Sequence, residues 1–143
     1  LPAKRIVEVD DEMIPLGGAD VQTVNSISFR NGNYDFYNGK VIGNREIDQG
    51  YTDLTREGKW ASSRITNEEQ KVQVIIRQDG AFGFLQSFTM DTLAENLQRQ
   101  GAAVEPMTSS ADALNRNESG GLIMLNPGQT WIGKIEIETK YLG

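Results

Sequence analysis

The sequence contains neither cysteine nor histidine among its 143 residues. The absence of cysteine excludes disulfide bonds and thiolate metal sites, although it leaves the redox compartment undecided. Without histidine the chain can form no Ser-His-Asp or Cys-His nucleophile system and no zinc site with imidazole ligands. Any chemistry on this chain would therefore depend on carboxylates, amides, hydroxyls and aromatic side chains.

Positive charge is also scarce. The formal net charge is −6 and the pI is about 4.7, which argues against nucleic acid or an anionic membrane as a partner. No apolar run reaches membrane-spanning length, and the N-terminus lacks the apolar region of a signal peptide. We expect a cytoplasmic protein. The chain begins at Leu1, which we interpret as an expressed piece, a processed product or a fragment.

Two further classes of site are missing. The acidic turn at residues 10–12 lacks the spaced oxygen ligands and the glycine of a calcium loop, so it is interpreted as a solvated turn. The glycine pairs at residues 17–18 and 120–121 lack the Lys-Ser/Thr and the helix that follow in a phosphate loop. We therefore expect no metal and no cofactor.

Apolar and polar residues alternate along most of the chain, which is typical of half-buried β-strands. Val72, Val74 and Ile76 give the clearest example. We predict strands over residues 4–9, 21–29, 60–66, 71–77, 82–88, 122–125 and 131–141, with 60–66 and 71–77 forming a hairpin. Residues 47–54 are interpreted as an irregular loop. A mainly β, antiparallel β-sandwich in a single domain over residues 1–143 follows.

One short helix is predicted at residues 92–100. Thr92 and Glu95 have the spacing of a capping box, Leu93 and Leu97 lie one turn apart, and Gly101 can end the helix.

Glu105 is the first candidate functional residue. It follows the small apolar run 101–104 and precedes Pro106, which disfavours helical geometry at Glu105. A stiffly held, partly buried glutamate suits a general base. The alternative is a solvated glutamate at the end of a strand, which the pattern alone favours because most glutamates are exposed.

Asp48 and Gln86 are the other candidates. Gln86 shares a predicted strand face with Phe82, Phe84 and Phe88, where an amide needs a hydrogen-bond partner. Carboxylates, amides and aromatic residues commonly bind sugar hydroxyls. Secondary candidates are Tyr51, Asp53 and Asn115.

An ordered series of short motifs runs through almost the whole chain. The most specific pieces are Ile-Asp-Gln-Gly-Tyr-Thr-Asp-Leu at 47–54, Phe-Leu-Gln-Ser-Phe-Thr at 84–89, Val-Glu-Pro-Met-Thr at 104–108, Ala-Leu-Asn at 113–115 and Leu-Asn-Pro-Gly at 125–128. This series resembles the carboxy-terminal half of the aldose 1-epimerase (galactose mutarotase) family. The resemblance implies a galactose mutarotase-like β-sandwich, which agrees with the independent interpretation above.

The resemblance also implies an isomerase that interconverts the anomers of a hexose. It gives Glu105 the role of general base on the anomeric hydroxyl, and it gives Asp48 and Gln86 the role of holding sugar hydroxyls. In the family a histidine protonates the ring oxygen and a second histidine binds substrate. Both are expected upstream of Leu1, so we expect this chain alone to be inactive.

Three departures from the family pattern concern the substrate range. Leu16 replaces a common threonine, Ser110-Ala111 replaces a Cys-Pro or Pro-Pro pair, and Leu114 replaces an aromatic residue.

Two function classes remain open. The chain is either part of an aldose 1-epimerase-like enzyme or a non-catalytic carbohydrate-binding or interaction module on the same sandwich. The expected ligand is a monosaccharide, a hexose. Because a half-sandwich leaves strand edges unpaired, we also expect the chain to pair with a missing N-terminal half or to self-associate.

Overall fold

A computed structural model describes residues 1–116 and 120–143 of the chain. Within these described residues, eight strands form two antiparallel sheets. In chain order they are β1 Ala3–Val7, β2 Thr23–Asn25, β3 Asp48–Leu54, β4 Ala61–Asn67, β5 Val72–Gln78, β6 Phe84–Phe88, β7 Ala103–Met107 and β8 Ile135–Tyr141. The larger sheet has the order β2-β1-β3-β6-β7, and the smaller sheet has the order β4-β5-β8.

The core lies between the two sheets. Ile6, Tyr51 and Leu85 come from three adjacent strands of the larger sheet and are almost completely buried. Ile65 and Ile76 of the smaller sheet pack against this cluster. The mainly β, antiparallel sandwich predicted from the sequence is therefore confirmed. Among the described residues, no helix is long and apolar enough to cross a membrane.

The predicted hairpin is also confirmed. β4 and β5 pair antiparallel from Ala61 opposite Gln78 to Asn67 opposite Val72. The predicted alternation places Ile76 toward the core, because odd and even residues of a strand face opposite sides.

The loop prediction for residues 47–54 is wrong, since β3 lies in this segment and is the central strand of the larger sheet. Asp, Gln and Gly have low strand propensity, but pairing with β1 and β6 on both sides overrides that preference. The buried amide of Gln49 donates a hydrogen bond of 2.6 Å to the Val7 carbonyl. This contact removes the main penalty of placing a glutamine inside a sheet.

The helix prediction for residues 92–100 is wrong as well. The segment consists of separate turns, with Leu97 donating to Ala94 and Gln100 donating to Leu97 through the backbone. Leu93 and Leu97 are exposed, so no apolar face packs against the core. A nine-residue helix without such packing is unstable. Among the described residues, the helical elements are the short 3₁₀ turns Phe29–Gly32 and Ala113–Asn115.

Two strand predictions are corrected. Within residues 21–29 only β2 forms, because the Asn25 side chain accepts a hydrogen bond of 2.9 Å from the Ile27 N–H and turns the chain. Residues 122–125 form no strand, and their apolar side chains include the exposed Met124. The final strand is confirmed from Ile135 onward.

Candidate functional site

The three candidate residues lie on the same face of the larger sheet. Gln86 of β6 lies directly opposite Glu105 of β7 and also opposite Gly50 of β3. Side chains of directly paired residues point to the same face, and Asp48 shares that face because it is two residues before Gly50. The smaller sheet packs on the opposite face, where Leu85 contributes to the core. The candidate cluster is therefore on the outer face of the larger sheet, the face turned away from the smaller sheet.

Asp48 and Gln86 contact each other. The Gln86 amide Nε2 donates a hydrogen bond of 2.5 Å to Asp48 Oδ1. Phe84 and Phe88 share the strand face of Gln86, as the sequence predicts, whereas Phe82 lies before the strand and packs edge-on against Trp131 at 5.6 Å between ring centroids. The contact orients the amide and leaves the second carboxylate oxygen of Asp48 available to a ligand.

Glu105 is solvated, as the alternative interpretation of its sequence context predicts. It lies in the middle of β7 and is exposed rather than partly buried at the end of a strand. The neighbouring Val104 points to the other face of the same strand and is buried in the core, so the exposure of Glu105 follows from the face on which it lies. The carboxylate faces solvent beside Gln86 and is free to contact a molecule placed on this face.

A cavity of about 240 Å³ lies next to this cluster. Its floor is formed by strand residues of the outer face, and its rim is formed by the loops that follow β1 and β7. Lining residues include Val7, Pro15, Asp48, Gly50, Gln86 and Ala111. Glu105 is not among them, but Met107, two residues further along the same face, lines the cavity. The cavity combines apolar walls with the amide and carboxylate of two candidate residues.

Gly50 has no side chain, which leaves room for the Gln86 amide. A Cβ atom at Gly50 would lie 3.3 Å from Gln86 Oε1 and 3.4 Å from the Val7 Cβ. These distances are short for carbon contacts, so a larger side chain would push the amide. A glycine inside a strand often marks such a close approach, and this signal could have identified Gly50 from the sequence.

Arg116 connects the two loops that form the rim of the cavity. Its side chain is only 7% exposed and forms an ion pair with Asp112 at 2.9 Å. Its two terminal nitrogens also donate to the backbone carbonyls of Pro15 and Gly18. Arg116 therefore ties the loop after β1 to the loop after β7, and no motif in the sequence indicates this role.

Asp112 is held ionised by its neighbours. The Asn115 side chain donates to it at 2.6 Å, and Arg116 donates at 3.0 Å. These hydrogen bonds, the one from Asn115 first, hold the pKa of Asp112 below its ordinary value.

The secondary candidates are not brought into the cavity. Tyr51 is buried in the core, where its hydroxyl donates to the Tyr34 carbonyl at 3.1 Å and burial raises its pKa. Asp53 is near the end of β3 and Asn115 supports Asp112, and neither lines the cavity.

The acidic turn at residues 10–12 has an internal structural function. Asp10 Oδ1 accepts hydrogen bonds of 2.9 Å from the backbone N–H groups of Glu12 and Ile14. Among the residues that the structure describes, no group of three or more acidic side chains is arranged to hold a metal ion.

The residues that depart from the family pattern lie in the loops that follow β1 and β7. Ser110 is buried and lines the cavity together with Ala111. Leu16 is exposed and its N–H donates to the Glu8 carbonyl, while Leu114 is highly exposed.

The fold is that of a galactose mutarotase-like β-sandwich. The crystal structure of a GalM/aldose epimerase homologue from C. elegans matches it with a TM-score of 0.78 at 16% sequence identity. The match covers all of this chain and 45% of the homologue, so the chain spans less than half the length of that protein. The family model of aldose 1-epimerase matches residues 1–138. The chain belongs to the aldose 1-epimerase family. No curated protein matches the sequence.

Proposed function

We propose that the chain carries the general base and part of the sugar site of an aldose 1-epimerase-like isomerase that acts on a hexose in the cytoplasm. One observation carries this proposal. Asp48, Gln86 and Glu105, which are far apart in the sequence, lie together on the outer face of the larger sheet.

In the proposed reaction the Glu105 carboxylate removes the proton of the anomeric hydroxyl. The bond between C1 and the ring oxygen breaks, C1 becomes an aldehyde, and a donor protonates the ring oxygen. Rotation about the C1–C2 bond and the reverse steps then give the other anomer. Glu105 suits the base because its carboxylate faces outward beside the hydrogen-bonding groups that would fix the sugar.

Asp48 and Gln86 are proposed to hold sugar hydroxyls rather than to transfer protons. The amide can donate through its second N–H and accept through Oε1, and the carboxylate can accept at the oxygen not used by Gln86. Together they offer donors and acceptors within one small area. Adjacent sugar hydroxyls need this combination because each both donates and accepts.

The proposed reaction needs a proton donor, and this sequence contains no histidine that could supply the proton. Lysine and tyrosine have reference pKa values near 10 and suit protonation of a ring oxygen at neutral pH poorly. We propose that a histidine outside residues 1–143 supplies this proton. The 143-residue chain is then expected to bind sugar without accelerating mutarotation.

A second candidate function is a non-catalytic carbohydrate-binding module. The exposure of Glu105 on an edge strand favours it, because a general base works best where water is excluded. In that case Asp48 and Gln86 would still bind sugar, but Glu105 would have no catalytic effect.

Polarimetry with α-D-glucose and α-D-galactose separates the two candidates. The sample is the polypeptide that the whole open reading frame encodes. Replacing Glu105 by Gln keeps the side-chain shape and removes its basicity, so the rate should fall by about a hundredfold or more. A Glu136→Gln variant, altered on the exposed β8, is the control and should keep its rate. Near-normal turnover in Glu105→Gln would contradict the assignment of the base.

A further inference from the structure

Asp48 has little side-chain support of its own. Within the described residues, the hydrogen bond from the Gln86 amide is the single side-chain hydrogen bond that Asp48 makes. Asp48 is otherwise exposed, and it is the first residue of β3. The position of its carboxylate therefore depends on what holds the backbone where β3 begins.

The Thr89 side chain holds this end of β3. Asp48 pairs with Phe88, the last residue of β6, so Ile47 and Thr89 meet one step beyond the two strands. The Thr89 N–H donates to the Ile47 carbonyl at 2.8 Å. In return, the Ile47 N–H donates to Thr89 Oγ1 at 2.8 Å. The hydroxyl thus takes the place of the backbone carbonyl that would accept this bond in a regular antiparallel ladder.

The surroundings explain why this hydroxyl is needed. Met90 has a φ of 62°, so the extended strand conformation ends at Thr89 and the regular ladder stops there. Ile47 and Thr89 are both only 2% exposed, so water cannot replace the missing acceptor. A buried N–H without an acceptor is destabilising, and the Thr89 hydroxyl removes that penalty at the residue directly before Asp48.

Asp91 sets the orientation of the Thr89 hydroxyl. A hydroxyl has one proton to donate and two lone pairs that accept. The Thr89 hydroxyl donates to Asp91 Oδ2. This charged acceptor is preferred to the Ile47 carbonyl oxygen, which lies 3.2 Å from Oγ1. With its proton directed at Asp91, Oγ1 keeps its lone pairs available to the Ile47 N–H.

Arg99 holds Asp91 in place. Its guanidinium forms an ion pair with Asp91 at 2.6 Å. It also donates to the Gly43 carbonyl at 2.6 Å and to the Arg45 carbonyl at 3.1 Å. Gly43 and Arg45 belong to the segment that leads into β3. The contacts of Arg99, Asp91 and Thr89 therefore join the segment after β6 to the segment before β3.

We propose that Thr89 is a positioning residue of the sugar site and that Asp91 supports it. Thr89 fixes the backbone of Ile47, and thereby the direction in which the Asp48 carboxylate meets Gln86 and a sugar hydroxyl. This inference rests on the proposed function, because that function assigns Asp48 to hold the sugar. Neither Thr89 nor Asp91 lines the cavity beside the candidate cluster, so both act through Asp48.

Removing the hydroxyl tests this proposal in the polypeptide that the whole open reading frame encodes. Thr89→Val keeps the branched shape and removes the acceptor of the Ile47 N–H. Without sugar, the Ile47 amide should exchange faster with solvent, and the side-chain amide resonance of Gln86 should move in NMR spectra. Hexose affinity, measured by calorimetry, should fall by about tenfold. KM should rise with kcat nearly unchanged, because Asp48 binds the sugar without transferring protons.

Two further variants separate positioning from a general loss of stability. Thr89→Ser restores the hydroxyl and should return both the Gln86 resonance and the hexose affinity to their native values. Ser26→Ala is the matched control. Ser26 is also 2% exposed, and its hydroxyl donates to the Asp35 carboxylate at 3.0 Å beyond the end of β2. Its replacement should lower the Tm, as Thr89→Val does, and leave the Gln86 resonance and the affinity unchanged.

Asp91→Ala tests the same contact without altering the core, since Asp91 lies in a turn. The Thr89 hydroxyl can then donate to the Ile47 carbonyl instead, so the Gln86 resonance should move in the same direction as in Thr89→Val. Native resonances and affinities in both variants would overturn the proposal, as would equal changes in Ser26→Ala. A Gln86 resonance that moves while even the native polypeptide binds no hexose would support the positioning of Asp48 and contradict the proposed sugar site.

Discussion

Gln86 donates a hydrogen bond of 2.5 Å to the Asp48 carboxylate, although the two residues are 38 positions apart in the sequence. The pairing of β3 with β6 makes this contact possible, because it places the two side chains diagonally on one face. Glu105 joins them through the pairing of β6 with β7. The proposed sugar site thus depends on the register of three adjacent strands rather than on a loop.

Gly50 should be necessary for sugar binding. In Gly50→Ala the new Cβ would crowd Gln86 Oε1 and displace the amide from its position beside Asp48. We expect hexose affinity, measured by calorimetry, to fall by about tenfold, equivalent to the loss of about one hydrogen bond. Gly80→Ala is the matched control because nothing lies within 4 Å of its added Cβ. Equal affinities in the two variants would show that the position of the amide does not matter.

Arg116 should stabilise the folded chain. Arg116→Met removes the donors to the Pro15 and Gly18 carbonyls and the partner of Asp112. We expect the free energy of unfolding in urea to fall by about 1–3 kcal/mol, the usual effect of leaving partly buried polar groups unpaired. Arg64→Met, altered at an exposed position of β4, should change it little. Superimposable unfolding curves for Arg116→Met and the native chain would contradict this role.

The regular part of the fold could be predicted from the sequence, and the reasons are local. Apolar and polar residues alternate clearly in the β4–β5 hairpin and in β6. This alternation indicates which side chains of a strand are buried. β3 was missed because Asp48, Gln49 and Gly50 are poor strand formers. The strand exists because its neighbours pair with it on both sides, and Gln49 finds a partner in the distant Val7 carbonyl. A single-sequence pattern contains no record of such long-range contacts.

The membership of the sugar site stays a prediction, and strand pairing adds that its three candidate residues lie on one face. The motif resemblance selected Asp48, Gln86 and Glu105, and the structure brings them to one face. Glu105 is exposed, as the solvated alternative predicts, and it lacks the partly buried environment expected of a general base. Gly50 was missed because residues 47–54 were interpreted as a loop, where a glycine is ordinary. Arg116 was missed because its contacts with Pro15 and Gly18 are far away in the sequence.

Lowering the pH should destabilise the folded chain through protonation of the Asp91 carboxylate. The Thr89 hydroxyl and then the Arg99 guanidinium donate hydrogen bonds to this carboxylate and hold its pKa below the ordinary value. A lowered folded pKa stabilises the folded state above the unfolded pKa of about 3.9, and this contribution is lost as the pH falls further. The Tm difference between native and Asp91→Asn chains should therefore be largest above about pH 4 and shrink below it. A difference that stays constant or grows on acidification would contradict this assignment.

The most direct test of the central claim is an amide NMR titration of the chain with D-glucose and D-galactose. If Asp48, Gln86 and Glu105 form a sugar site, the Gln86 side-chain amide and the backbone amides of Gly50 and Glu105 should shift saturably. Gln86→Leu should weaken the affinity by about tenfold while folding is unchanged, and Gln73→Leu on β5 should bind normally. No saturable shift with either sugar, or shifts confined to other surfaces, would contradict the claim.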